Sequence, residues 1–455
     1  MKKINYIALF ILFFSGLSSM AQEKKWTLRE CVEHALKNNI TVQQTELDAQ
    51  LAAIDKKDAF GNFLPSLNAS ASHNWNIGLN FNPITNLAET QTFQNTGVGL
   101  NMGVDIYKGL QNQNRLSRTR LAIIASQYQL TKIKDDVSLN VANAFLQILF
   151  NKENLKVQKE QLLNNQKQQQ RSQELVNAGS VPRGDLFDMK ATVATSQQAV
   201  VTAENTLLIS KLSLAQLLQL EDFQNFDIAD DSYEVTESQT MLQTPNSIFD
   251  KAKEQRVELK IARTNLEIAE KDIKIAKGGF QPTLQGYYSF SARATDGDRV
   301  VTDAFGNLTL RGPAPIFDQF SDSKGHSFGV QLTIPILNGF SVRNNVERSK
   351  VALERSKINF KQQELDLERN VYTAFTDAKG ALNAYESAVV ALEARTEAYN
   401  YAKERFAVGL MNAFDLNQSQ TLFANAQSDV LRTKYDYIFR VKVVEFYFGI
   451  PIMEQ

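Results

Sequence analysis

The chain is written twice. The segment AFGNFLPSL at Ala59 to Leu67 returns 217 residues later as AKGGFQPTL at Ala276 to Leu284, with Gly61, Phe63, Pro65 and Leu67 reappearing as Gly278, Phe280, Pro282 and Leu284. VGLNMGVDIYKG, ending at Gly109, returns as FGVQLTIPILNG, ending at Gly339. From there the offset is 230, so that Gly179 maps on Gly409, Asp185 on Asp415, Leu186 on Leu416 and Leu220 on Ile450. The 13-residue difference is one insertion between Leu284 and Phe328. Each copy has the order helix, strand pair, very long helix, helix.

The rods are the clearest element. Between Gly109 and Gly179 there is neither Gly nor Pro, and between Gly339 and Gly409 only Gly380 intervenes. The spacing predicts helices over about 110–178 and 340–408, each on the order of 100 Å long at 1.5 Å per residue, against about 11 residues for an ordinary helix. Leu139, Ala142, Phe145, Leu146 and Leu149 recur at three- and four-residue steps, so one stripe is expected to be buried against other helices. Each rod ends at a glycine suited to a helix stop. Returning helices are expected from near Asp185 to Leu218 and from near Asp415 to Tyr447, and leading helices over Leu28 to Phe60 and Ile248 to Lys277.

Four segments alternate with period two, over about 66–77, 97–107, 283–293 and 327–337. Leu67, Ala69, Ala71, His73, Trp75 and Ile77 oppose Ser66, Asn68, Ser70, Ser72, Asn74 and Asn76. The stretches have the length of a tilted membrane-spanning strand, about ten residues. Gly78 to Thr96 and Arg293 to Gly325 are expected to be irregular polar loops. An ordinary soluble sheet with one buried face would show the same alternation. Four strands cannot close a membrane barrel, whose smallest known form has about eight, so strands that enter lipid require oligomerisation. Trp75, Tyr107, Tyr287 and Tyr288 are then candidates for aromatic anchors at the membrane interface.

Residues 1–21 have the form of a cleaved export signal: Lys2 and Lys3, an apolar run from Ile7 to Phe14, and small residues at Ser19 and Ala21. The first copy is expected over 22–220, a solvated acidic linker over 221–245 and the second copy over 246–455. With 49 basic and 50 acidic side chains, formal net charge −1, nothing points to nucleic acid. Cys31 is the only cysteine, and a small residue on a helix face is the expected reading of it. His34, His73 and His326 are scattered, and no phosphate loop, nucleophile elbow or metal-ligand spacing occurs, so neither enzyme nor cofactor is expected. Asp135-Asp136 and Asp230-Asp231 are expected to be solvated surface.

Taken over the whole chain after residue 21, the order and repetition of these elements resemble the TolC family of outer-membrane efflux proteins. The motifs that carry the resemblance are the Pro-Ser/Thr-Leu strand start, the glycine exit, the Val-Gly turn and the Asp-Leu helix start. The resemblance implies a mostly helical fold with a membrane β-barrel: a homotrimer with twelve strands in one barrel in outer-membrane lipid and a long helical barrel across the periplasm. It implies docking on a periplasmic adaptor and an inner-membrane pump of RND, ABC or MFS type. It also implies that the Asp415 position forms a constricting acidic ring and that the Asp185 position belongs to a polar lock. An acidic residue in a first helical turn also favours the helix dipole with no other role. Three gate positions depart from the family pattern: Phe406 lacks a hydroxyl, Met411 stands where a basic residue is expected, and Gln418 replaces a second acidic ring. Arg183 is a candidate to supply the missing charge by pairing with Asp185 or Asp415. Gly179, Ser180, Val181, Pro182, Gly409, Leu410 and Asn412 are candidate adaptor-docking tips. A general porin would share the strands without using such rods, and a structural coiled-coil protein would share the rods without needing the strands.

Overall fold

The structure is a computed structural model describing residues 25–82, 87–221, 223, 225–230, 233–235, 238–306 and 308–451. The export signal lies outside the described residues, as does Asp231. The elements run β1 (Lys25–Trp26), α1 (Leu28–Asn38), α2 (Ile40–Gly61), β2 (Ser66–Asn82), β3 (Leu87–Lys108), α3 (Gln111–Asn177), α4 (Arg183–Leu218) and β4 (Asp227–Ile228). Then follow a 3-10 turn (Gln239–Leu242), α5 (Pro245–Gln255), α6 (Val257–Gly278), β5 (Thr283–Thr295), β6 (Arg299–Thr302), β7 (Leu308–Arg311), α7 (Ile316–Ser323), β8 (Gly325–Thr333), α8 (Ser341–Ala407) and α9 (Ala413–Phe448). Two compact units divide the described residues, one holding those from Lys25 to Leu47, from Tyr128 to Lys260 and from Lys361 to Pro451, the other those from Asp48 to Gln127 and from Ile261 to Phe360. Each unit draws on both sequence copies.

The helical unit buries the stripe that periodicity marks. Ala142, Phe145, Leu146 and Leu149 of α3 are buried, and all but Ala142 pack in one cluster with Leu214 and Leu218 of α4, Val32 and Ala35 of α1 and Ile228 of β4. Cys31 lies in the same cluster, and burial pushes its thiol up to about 12, which leaves it protonated and inert. Neither leading helix is continuous. Both break for one extended residue at repeat-equivalent places, Asn39 (φ −62°, ψ 129°) and Arg256 (φ −66°, ψ 130°). Both are buried polar residues, and the break lets each find partners. Asn39 Nδ2 donates to the Leu217 carbonyl (3.0 Å), while its Oδ1 caps α2 by accepting the Thr41 N–H (2.9 Å). Arg256 makes a two-point contact with Glu258 and lies over the Phe446 ring, 3.8 Å from its centroid.

The acidic linker is not simply solvated. β4 pairs in parallel with β1. Lys152 of α3 reaches Asp227 (2.9 Å) and Asp230 (2.7 Å), while Lys211 of α4 reaches Asp227 (2.9 Å) and Lys25 reaches Asp230 (2.5 Å). The Lys152 and Lys25 ammonium groups hold the Asp230 carboxyl down at about 2, well below the usual carboxylate range. A depressed folded-state value stabilises above the unfolded pKa and ceases to do so as pH falls through the folded one. Limited proteolysis of the linker should therefore stay slow on acidification down to the ordinary carboxylate value of 3.8 and quicken progressively as pH falls from there through about 2, and Lys152→Ala should make it fast at neutral pH. Asp135 is likewise not free surface, standing 3.6 Å from Arg256.

The second unit is built on one antiparallel sheet of order β2-β3-β5-β8. Its rows match like with like: Leu67, Met102, Tyr288 and Phe328 lie in one row, and Asn68, Asn101, Ser289 and Ser327 in the next. β2 and β3 are longer than the alternation suggests, running through much of the segment expected to be a loop. β8 instead stops at Thr333, two residues before Pro335, which has no N–H to continue a ladder. The segment expected to be irregular after Arg293 holds the β6–β7 hairpin and α7. Helix α7 takes the place of a strand along the upper edge of β5. Ser323 Oγ accepts the Arg293 N–H (2.9 Å) and donates to the Arg293 carbonyl (2.6 Å), and the Gln319 amide does the same for Thr295 (2.9 Å each way).

Candidate functional site

One face of the four-stranded sheet is apolar and bare. Leu67 is 60% exposed, Trp75 62%, Phe328 81% and Val330 67%. An uncovered apolar face of this extent requires a non-aqueous neighbour, and among the described residues no helix is long and apolar enough to cross a membrane. Trp75 and Tyr288 stand on the apolar face, Tyr288 sharing a hydrogen bond with His326 Nδ1 (2.9 Å). Tyr107 pairs with Leu284 beyond a bulge and donates to Gln281 Oε1. Tyr287 does not join them. Its register partners are Gly103 and Gly329, which put it on the polar face, where its ring covers Gly329. Adjacent strand residues point to opposite faces, so Tyr287 and Tyr288 cannot both meet lipid.

The helical unit carries the two tips, and their backbones are copies of each other. At the end of α3, Gly179 is left-handed (φ 72°), its N–H donating to the Val176 carbonyl (3.0 Å) and that of Ser180 to Leu175 (2.9 Å). At the end of α8, Gly409 (φ 77°) donates to Phe406 (3.1 Å) and Leu410 to Arg405 (2.9 Å). Both are Schellman stops. The helices that follow start differently. Pro182 precedes α4 without a side-chain cap, whereas Asn412 Oδ1 accepts the Asp415 N–H (2.8 Å) at the start of α9. Asp185 and Asp415 thus occupy the same place in the first turn, the former half-buried and the latter exposed. Phe406 and Met411 are half-buried, while Arg183, Val408, Leu410 and Gln418 are exposed. Among the described residues no ion pair joins Arg183 to Asp185 or Asp415 within one chain.

Behind the tips lies a cavity of about 670 Å³ whose lining mixes apolar side chains such as Phe414 and Leu422 with the amides and hydroxyls of Asn165, Thr192, Ser196, Asn417 and Gln418 and the carboxylate of Asp188. Asn165 is buried and donates to Ser196 Oγ (2.6 Å), and Asn417 donates to Thr192 Oγ1 (3.3 Å). Sequence periodicity does not find these, because Asn and Ser on a long polar helix carry no mark of burial. Among the described residues no group of three His, Cys, Asp or Glu could hold a metal ion.

A bare apolar sheet face, two 67-residue helices and twin glycine stops coincide with the result of comparison. The family model for outer membrane efflux proteins matches residues 31–219 and again 248–441, once in each copy. The chain belongs to the outer membrane efflux protein family. It is 22% identical over 443 residues to the outer membrane protein TolC of Escherichia coli, with 96% of this chain and 84% of that one covered. Its fold is similar to that of the Campylobacter jejuni CmeC outer membrane channel, with TM-score 0.75, 20% identity and 93% and 85% of the two chains covered. A membrane protein from Pseudomonas aeruginosa aligns with TM-score 0.76 at 18% identity, over 93% of this chain and 90% of that one. This outer membrane efflux protein therefore has the mixed helical and β-barrel channel fold and acts in transport across the outer membrane. Nothing in the matches favours a general porin or a structural coiled coil.

Proposed function

We propose that three copies of this outer membrane efflux protein close one twelve-stranded barrel. The helical part serves in the periplasm as a tunnel that receives cargo from an inner-membrane pump of RND, ABC or MFS type through an adaptor seated on the tips. The observation that carries this reading is the sheet itself. Its outer strands β2 and β8 have open edges while its apolar face is bare, and open edges are not tolerated in lipid. Four strands are too few to close, and three copies give twelve. The mass of the detergent-solubilised protein tests it: a trimer is expected, and a monomer with intact strands would sink the reading.

Asp415 is the proposed gate residue, with Asp185, Gln418, Phe406, Met411 and Arg183 around it. Three exposed Asp415 carboxylates converging on an axis would repel one another and bind cations in a narrow passage. Asp415→Ala should raise single-channel current in a planar bilayer and weaken block by trivalent cations, with Asp188→Ala doing less. If Asp415 serves only its helix dipole, the change costs about 0.3–1 kcal/mol of stability and leaves current and block as in the wild type.

A further inference from the structure

The polar wall of the cavity behind the tips is of one chemical kind. The cavity is bounded by α3, α4 and α9, all of the helical unit. Four hydroxyls border it, and each has used its only hydrogen on a carbonyl of its own helix: Thr192 on Asp188 (2.9 Å), Thr195 on Ala191 (3.1 Å), Ser196 on Thr192 (2.9 Å) and Thr421 on Asn417 (2.9 Å). A hydroxyl engaged in this way has only lone pairs left to offer. That fixes the amides beside them. Ser196 and Thr192 can only accept, so Asn165 and Asn417 turn their NH2 groups toward them, at 2.6 Å and 3.3 Å, and their oxygens away. Asn417 directs a further N–H to Met189 Sδ (3.3 Å).

The oxygens turned away meet no donor. Asn165 is 1% exposed, and neither its Oδ1 nor that of Asn417 has a hydrogen-bond partner, although both atoms are shielded from solvent. A buried acceptor without a donor costs stability, and two of them on different helices beside one cavity ask for a group that supplies what is missing. Asp188 adds a carboxylate. It is the one charged group among the described residues that line the cavity, and no Lys, Arg or His joins it. The rest of the wall is apolar, with Phe414, Leu422 and several alanines.

We infer that this cavity is a binding site for an amphiphilic organic cation. Its N–H groups donate to the amide and hydroxyl oxygens, its charge lies beside Asp188, and its apolar body rests on Phe414 and Leu422. The volume of about 670 Å³ falls in the range of about 300–1,000 Å³ usual for small-molecule sites. A metal ion would leave most of it empty, and among the described residues no three His, Cys, Asp or Glu gather to hold one. An anion is rejected by the same wall, because a carboxylate and fixed lone pairs face it with no positive charge to offset them. The walls come from both sequence copies, so a bound cation ties α9 to the hairpin of α3 and α4 and stabilises the helical unit. The site is complete within one chain and does not rest on the trimeric reading.

Ethidium is the probe, a planar aromatic cation with two amino groups whose emission rises when it leaves water. Titrated into the detergent-solubilised full chain, it should saturate at one dye per chain and raise the melting temperature, whereas fluorescein, an anion of similar size, should do neither. Asp188→Asn keeps the shape of an exposed side chain and removes its charge, and it should weaken ethidium binding about tenfold, as loss of one hydrogen bond to a charged group does. Asn417→Leu removes an acceptor that has no partner, so it should melt no lower than the wild type while binding ethidium about tenfold more weakly. An asparagine with a purely structural role would give the reverse, lower melting with unchanged binding, and that result overturns the site. Absence of saturable ethidium binding overturns it as well, since the cavity then holds water alone. Binding that neither substitution weakens places the dye elsewhere, and one dye per three chains places it on a shared axis; either outcome removes the inference. Equal binding of fluorescein removes the donor-acceptor chemistry on which it stands.

Discussion

Gly278→Val is expected to abolish recovery of folded protein from the outer membrane. The atom a side chain would strike is the backbone oxygen of Gly109, only 2.5 Å from the new Cβ, with the Gln111 side chain close behind at 2.6 Å. Two backbones in contact have no rotamer that relieves the overlap, so one of them must move. Gly109 cannot yield easily, since its left-handed φ of 57° makes the exit from β3 into α3. The cost belongs with the exceptional substitutions above about 4 kcal/mol, against a total stability of about 5–15 kcal/mol for a typical domain. Gly380 is the matched control. It lies inside α8 with nothing within 4 Å of a Cβ, and Gly380→Ala should raise stability by about 1 kcal/mol through helix propensity alone. The measurement is the yield of protein in the outer-membrane fraction. Normal yield of Gly278→Val would mean that the junction between strand and rod can shift, and that the close approach is not structural.

Much of this architecture was legible in the sequence, for reasons visible in particular residues. A run of some seventy residues without Gly or Pro has few alternatives to helix, and glycines at Gly179 and Gly409 mark the stops. Period-two alternation identified all four sheet strands, though their ends followed other rules. Asn and Thr at the tip of the first hairpin resemble loop residues, yet β2 and β3 continue through them because they pair with each other across seventeen rows. The breaks at Asn39 and Arg256 left no trace, since neither residue is a helix breaker and the cause is tertiary: each is a buried polar group seeking partners far along the chain. The Lys152 contacts with Asp227 and Asp230 were hidden for the same reason. Tyr287 shows a parity that the sequence did carry, for it alternates with Tyr288. At the candidate site only the turn geometry could be anticipated. Which side chains meet behind the tips depends on how helices from both copies pack, and no local pattern encodes that.

Valine in place of Gly409 or Gly179 should leave assembly intact while export is lost. The two glycines differ from Gly278 in the physical origin of the penalty. No atom lies within 4 Å of a Cβ at either position, so a side chain meets open space, and the cost is that of holding an L-residue at φ 72° or 77°. That is about 1–2 kcal/mol, somewhat more for a β-branched side chain, and far less than a folded trimer can withstand. The strain can be released only by reshaping the turn, and with it the Gly409 to Phe406 and Leu410 to Arg405 hydrogen bonds that fix where Leu410, Met411 and Asn412 stand. A partner that docks on the tips recognises that backbone path, whereas folding of the rods, held by the buried stripe of α3 and its counterparts, does not depend on it. Trimers of Gly409→Val should therefore reach the outer membrane in normal amount, and dye export by cells carrying them should fall to the level of cells lacking the protein. Alanine at the same position, with the same φ to bear but no branched Cβ, should retain part of the export. Unchanged export by the valine variant would take the tips out of the docking surface, because a turn that tolerates that strain is not being read by a partner.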